Sequence, residues 1–348
     1  MQRKKKWLAL SLMLVLVLSL SVGCRHLKGS SEQNPEDEEP VPAGEEVKEQ
    51  FFCPLDGVAV DDATKIERRP LAVMIGNIPG LAEPSGVDKA CLVFEMLAEG
   101  GITRLMPIFL HQDATSVGSV RSARHYFLDK VLEFNAAYGH CGYSPQAKQD
   151  ISKLKVISLN EFYLPQVYWR IRTKKEPHNV YTSTEHLFAE LERRGLLRAP
   201  SPVQFSFYDE NSQQQPLGAG CKKVTLHFSP DYTVGYVWDD VADGYARFVN
   251  GKPQKDEASG KQLVAKNVLV QFVDGTRVLA NEGRLDMKLV GQGSGRMFQQ
   301  EITYELNWSK QSRAEPTKWT DKTGAGIRLV RGQSWIEILP RTTKVVWE

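Results

Sequence analysis

From about Pro216 to the end, the chain is a series of short apolar runs cut by turn dipeptides, a texture that only a mainly β fold accommodates. Residues 224–228, 231–238, 245–249 and 267–273 read as strands, and Asn250-Gly251 and Asp274-Gly275 follow two of them as hairpin signals. Residues 285–290, 297–308, 326–330 and 334–339 continue the series. The preceding stretch is different. Residues 71–75, 90–96 and 105–110 read as buried strands, the first leaving through Asn77, Pro79 and Gly80. Residues 121–134 carry Ala123, Phe127, Leu128, Val131 and Leu132 at helical spacing, with Ser119 as an N-cap; residues 184–194 form a second helix, capped by Thr184 and stopped by Gly195. The expectation is an α+β or α/β N-terminal domain (51–215) followed by a mainly β C-terminal domain (216–348).

A chain of 348 residues with 41% hydrophobic and 25% charged composition is an ordinary globular one, which excludes wholesale disorder and a multi-span membrane protein. Its first 23 residues are set apart. Arg3, Lys4, Lys5 and Lys6 precede sixteen uncharged, mostly apolar residues, 7–22, a pattern of export. Ser21-Val22-Gly23-Cys24 resembles a bacterial lipobox, with Ser21 where that pattern has Leu, and this implies cleavage before Cys24 and a lipid on its thiol. An uncleaved signal anchor is the alternative. Either reading puts the folded part on the outer face of the cytoplasmic membrane, with the membrane as its first partner. Between Glu32 and Glu49 lie eight acidic residues and one Lys, so residues 24–50 are expected to be a disordered acidic tether. From residue 24 onward 40 basic residues face 42 acidic ones, a net of −2, and no nucleic-acid partner is expected.

Several ordered motifs resemble one family. Arg69-Pro70-Leu71-Ala72-Val73-Met74-Ile75, the run from Glu95 through Glu99-Gly100-Gly101-Ile102-Thr103-Arg104, Val117-Gly118-Ser119-Val120-Arg121-Ser122-Ala123-Arg124 and Pro177-His178-Asn179-Val180-Tyr181-Thr182 are similar to the YerB-type lipoproteins of Gram-positive bacteria. In the second half Asn250-Gly251-Lys252-Pro253, Trp308-Ser309-Lys310 and Gly332-Gln333-Ser334-Trp335-Ile336 belong to the same pattern. The resemblance implies two domains of unknown function on a lipid anchor and brings no established catalytic set with it.

The residues themselves offer two chemistries. Arg stays charged and presents a planar fork matched to carboxylate or phosphate, so Arg104, Arg121 and Arg124, with Ser122, Asn179 and Tyr181, are candidates for holding an anionic wall polymer or envelope protein. The alternative is a wall hydrolase or transferase, with Glu95 or Glu99 and His140 or His178 as acid and base, or Ser144 as nucleophile. Cys53, Cys91, Cys141 and Cys221 are 38, 50 and 80 residues apart, too dispersed for a zinc motif, and are expected as buried thiols. No metal or cofactor is expected.

Overall fold

Leu71–Val73 (β1), Leu92–Leu97 (β2), Thr103–Phe109 (β3), Ala137–His140 (β4) and Ser158–Asn160 (β5) are the principal strands of the first half. β2 and β3 are buried along their whole length, as continuous apolar runs covered on both faces must be. Successive side chains take opposite sides. Leu71, Val73 and Val93 enter one core, while Ala72, Met74, Leu92 and Phe94 enter the other. The computed structural model describes residues 50–81, 83–209, 218–279 and 283–348; the leader, Cys24, most of the tether and the expected boundary at 215/216 lie outside them.

The second half contributes Lys223–Ser229 (β6), Tyr232–Asp239 (β7), Gly244–Val249 (β8), Asn267–Val273 (β9), Gly291–Gln299 (β10), Ile302–Lys310 (β11), Ser334–Pro340 (β12) and Lys344–Trp347 (β13). Two sheets result. The larger runs β11-β10-β9-β12-β2-β3-β1-β4-β5, so strands of both halves share one hydrogen-bonded layer. The seam is the parallel pairing of β12 with β2, in which Glu337 lies opposite Glu95. The smaller sheet runs β8-β7-β6-β13, and β6 alternates buried and accessible residues because only one face meets the core. The first half is a mixed α/β region with few helices, and the second is mainly antiparallel β.

Helices pack on both faces of the large sheet, two in one core and the third in the core shared with the smaller sheet. The expected helix over 121–134 begins late: a 3-10 turn at His125–Phe127 leads into Leu128–Glu133 (α1). Residues 120–123 are instead tied to extended neighbours, with Val120 N–H donating to Val180 O and Arg121 N–H to Met74 O, so Ser119 caps nothing. Pro145–Lys153 (α2) and Thr184–Arg193 (α3) follow, and the cap of α3 is Ser183 rather than Thr184 because the Ser183 hydroxyl accepts from His186 N–H. Three further expectations fail. Residues 297–308 are not one strand but parts of β10 and β11, joined at Gln300 and Glu301, whose φ values of 47° and 58° make the hairpin without a glycine. Residues 285–290 form a strand only at Leu285–Asp286, and residues 326–330 supply isolated bridges.

Between the sheets lies a buried polar cluster. Arg247 of β8 reaches Glu95 of β2 and Glu337 of β12, and all three side chains have no exposure. Tyr232 donates to Glu95 at 2.7 Å, Tyr236 donates to Glu337, and Gln254 Oε1 accepts from Arg247 Nε at 2.6 Å. The guanidinium also lies 4.2 Å from the centre of the Trp335 ring. Burial alone would lower the Arg247 pKa, but Glu95, Tyr236 and Glu337 outweigh it and push it up. Burial and then the charge of Glu95 push Glu337 well above the usual carboxylate range. Arg247 therefore faces Glu95 together with a Glu337 that is biased toward its neutral form. Arg247→Ala would leave a carboxylate with no cation and is expected to cost about 3–5 kcal/mol. Glu337→Gln, which preserves a neutral side chain of the same shape, should cost less than about 1.5 kcal/mol. Urea-unfolding midpoints compare the two; equal losses would show that Glu337 carries charge.

Candidate functional site

Beyond the large sheet's β2-β3 corner, three guanidiniums converge. Arg104 belongs to β3, whereas Arg121 and Arg124 sit on the extended segment that replaced the expected start of α1. Arg104 donates to Ser122 O and lies 3.6 Å from Glu99 Oε2; Arg124 Nη2 donates to the same oxygen at 3.0 Å. Arg121 crosses Gly76, where a Cβ would lie 3.2 Å from its Cγ, and donates to Pro177 O at 2.6 Å. His178 follows that proline.

The electrostatics are unbalanced. Arg104 and Arg124 pair with Glu99, while Arg121, the third guanidinium, makes no ion pair among the described residues. Burial would raise the Glu99 pKa, but hydrogen bonding to Arg124 and the charges of Arg124 and Arg104 hold it below its ordinary value. Arg104 is pushed down to about 10, first by burial and then by the charge of Arg124. His178 is lowered by burial and by Arg121, so it stays neutral near pH 7. Such a surface favours a bound anion that returns the missing negative charge.

Asn179 and Tyr181 lie to one side and are committed to the fold. Asn179 Oδ1 accepts from Arg170 at 3.0 Å, and the buried Tyr181 ring packs on Gly118 while its hydroxyl donates to Glu257 of the second half at 2.8 Å. The expected acids do not meet a histidine. Glu95 is sealed between the sheets under Arg247, and Glu99 leaves the strand in a 3-10 turn, so the two do not share a strand face. Ser144 is the N-cap of α2, its hydroxyl accepting from Ala147 N–H at 3.3 Å. Cys141 is pushed up to about 11 by burial and by Glu161, which keeps it a thiol.

His140 has a partner that its sequence neighbourhood hides. Its Nδ1 lies 2.7 Å from Gly142 O, and because a carbonyl only accepts, that nitrogen carries the proton. Nε2 is then free to accept from Ser158 Oγ at 2.8 Å. Ser158 and Asn160 of β5 line a cavity of about 380 Å³ with Tyr143, Lys148, Tyr163 and Arg194. Asn160 Oδ1 accepts from Gly142 and Phe162 N–H, which fixes the amide orientation and leaves the buried Nδ2 without a hydrogen-bond partner. Phe162 and Tyr163 beside it are 62% and 69% exposed. No motif announced Ser158, whose role arises from the parallel pairing of β4 and β5. The one available signal was the adjacent pair Phe162-Tyr163 in a polar stretch. The aromatic residues Tyr232, Tyr236, Tyr245, Trp308 and Trp335 of the second half are all buried in the core.

Comparison with known proteins agrees with the motifs. Residues 55–197 match the model described as "Protein of unknown function (DUF3048) N-terminal domain", and residues 224–336 match its C-terminal domain. "Putative lipoprotein YerB" of Bacillus subtilis (strain 168) is 30% identical over 340 residues, covering 97% of this chain and 96% of the relative. The crystal structure of YerB protein from Bacillus subtilis superposes with a TM-score of 0.75 at 29% identity, covering 85% of this chain and 99% of that one. Among the described residues no helix is long and apolar enough to cross a membrane. With both domain models matched in order and a relative similar along nearly its whole length, this chain belongs to the DUF3048 family.

Proposed function

We propose that this protein is held by a lipid on Cys24 at the outer face of the cytoplasmic membrane and binds an anionic component of the cell envelope. The surface formed by Arg104, Arg121, Ser122 and Arg124 is the binding face. One observation carries the reading: three guanidiniums converge where the described residues place one pairing carboxylate, Glu99, which meets Arg104 and Arg124 but not Arg121. The basic, apolar leader, the acidic residues after Cys24 and the name of the Bacillus subtilis relative support the address. Arg121 is the residue to test, because it makes no ion pair among the described residues and its loss removes charge without freeing a buried acid. Sedimentation of the protein with purified wall sacculi, before and after removal of their phosphate-bearing polymer, reads the binding. Arg121→Ala is expected to weaken retention at least about fivefold, and added salt should weaken wild-type retention. Equal retention of variant and wild type would sink the reading.

The second reading, acyl transfer on an envelope substrate, is favoured by Ser158. Its hydroxyl donates to a histidine whose tautomer is fixed by a backbone carbonyl, and the unpartnered Asn160 amide lines the same cavity as a donor for a developing oxyanion. It stands second because burial pushes His140 down to about 4, which makes it a weak base. A fluorophosphonate probe should label Ser158 and fail to label Ser158→Ala; absence of label on the wild type removes this reading. The same histidine sets a pH dependence. Folded His140 stays neutral where an unfolded imidazole, near 6.5, takes a proton, so the unfolded state binds more protons between pH 6.5 and 4. Stability is therefore lost as pH falls through that window, by up to about 3 kcal/mol. Urea unfolding across the range should show His140→Gln losing this part of the slope.

A further inference from the structure

On the far face of the large sheet four ligand-type side chains meet. Cys53 and Asp56 lie in the turn of the N-terminal hairpin formed by Phe51–Phe52 and Ala59–Val60; Cys91 precedes β2, and His111 follows β3. One donor atom from each lies within 4.8 Å of every other, and all four residues are buried, His111 being the most accessible at 7%. We propose that Cys53, Asp56, Cys91 and His111 form a structural zinc site.

The geometry argues for a metal rather than a disulfide. Cys53 Sγ and Cys91 Sγ are 3.8 Å apart. Two sulfurs at about 2.3 Å from a tetrahedral ion stand about 3.8 Å apart, whereas a disulfide needs about 2.05 Å. His111 Nε2 and Asp56 Oδ2, now 2.8 Å apart, would separate by about 0.5 Å to become the other two ligands. The turn is built to present them. Cys53-Pro54-Leu55-Asp56-Gly57 closes with Gly57 N–H donating to Cys53 O, and Gly57 takes a φ of 69° that favours glycine. Within it Leu55 N–H points at Cys53 Sγ at 3.4 Å, and Val58 N–H holds Asp56 Oδ1 at 3.2 Å, which leaves Oδ2 to turn toward the ion.

Two thiols, an imidazole and a carboxylate in a tetrahedral arrangement suit Zn²⁺. Binding releases one proton from each thiol; the Asp56 carboxylate donates as it is, and the proton on His111 Nε2 that now faces Asp56 passes to Nδ1, which frees Nε2 to ligate. Four protein ligands in a buried pocket leave no position for substrate, so the ion is a staple. It would fasten the hairpin that follows the tether to two strands of the large sheet. Sequence spacing concealed the site because its members are separated by 3, 35 and 20 residues and meet only through β2-β3 pairing.

The test uses the full chain in detergent, reduced, stripped of metal with a chelator and titrated with Co²⁺ and then Zn²⁺. One equivalent of Co²⁺ should give the intense visible bands of four-coordinate cobalt and a thiolate-to-cobalt band, both abolished by one equivalent of Zn²⁺. Zn²⁺ should also raise the thermal midpoint. Cys91→Ser should lose about half the thiolate band, and His111→Ala should weaken Co²⁺ binding at least about tenfold. Absence of those bands in the reduced wild type overturns the site whether or not the variants fold. So does Co²⁺ binding by a folded His111→Ala equal to wild type, or a Cys53–Cys91 disulfide found by peptide mass in protein taken unreduced from the cell envelope.

Discussion

Arg247 cannot shed its charge, yet it lies wholly inside the protein, so everything around it must answer that charge. Its two acids come from neighbouring strands of the large sheet, Glu95 on β2 and Glu337 on β12, and its hydrogen-bonding companions Tyr236 and Gln254 come from the second half. The seam between the halves is thus also the place where the buried charge is neutralised. Neither half could bury its part alone: β2 without Arg247 would carry an unanswered carboxylate, and β8 without β2 and β12 an unanswered guanidinium.

This constraint decides where chemistry can occur. Glu95 is unavailable as an acid or base because it is consumed in holding the sheets together. Lys310 of β11 makes a second buried tie, to Glu133 of α1, with Lys130 and Thr317 completing it. Burial would raise Glu133, but Lys130 and Lys310 outweigh it and keep the carboxyl ionised. Glu133 and Lys310 are therefore structural, as Glu95 and Arg247 are, while the Arg104, Arg121 and Arg124 face and the cavity beside Ser158 lie outside both clusters.

How much of this was legible follows from what each signal depends on. β2, β3, β8, β9 and β12 were legible because apolar periodicity reports local burial, and Asn250-Gly251 marked its turn because both residues take positive φ. The β10-β11 hairpin was hidden because Gln300 and Glu301 adopt the same backbone without the residues that advertise it. Residues 121–124 carry a helical pattern that is overridden by backbone hydrogen bonds to Met74, Val180 and Gly142, partners that no local window contains. The Arg candidates were found because their chemistry is in the residue type. Ser158, Asn160 and the partners of Cys53 were not, because those groups acquire meaning only through strands that the fold brings side by side.

The same side chain is treated in two opposite ways within one molecule. At Arg247 one guanidinium is met by two acidic side chains, two tyrosines and a glutamine, and the cluster is closed to water. At the β2-β3 corner two of three guanidiniums share one carboxylate and the third has none, the remaining contacts of the group being backbone carbonyls that bring no net charge. A structural network would gain by adding acids there, and the sequence holds 42 to draw on. Positive charge left in excess at this corner has its physical use when an anion arrives from outside to complete the balance.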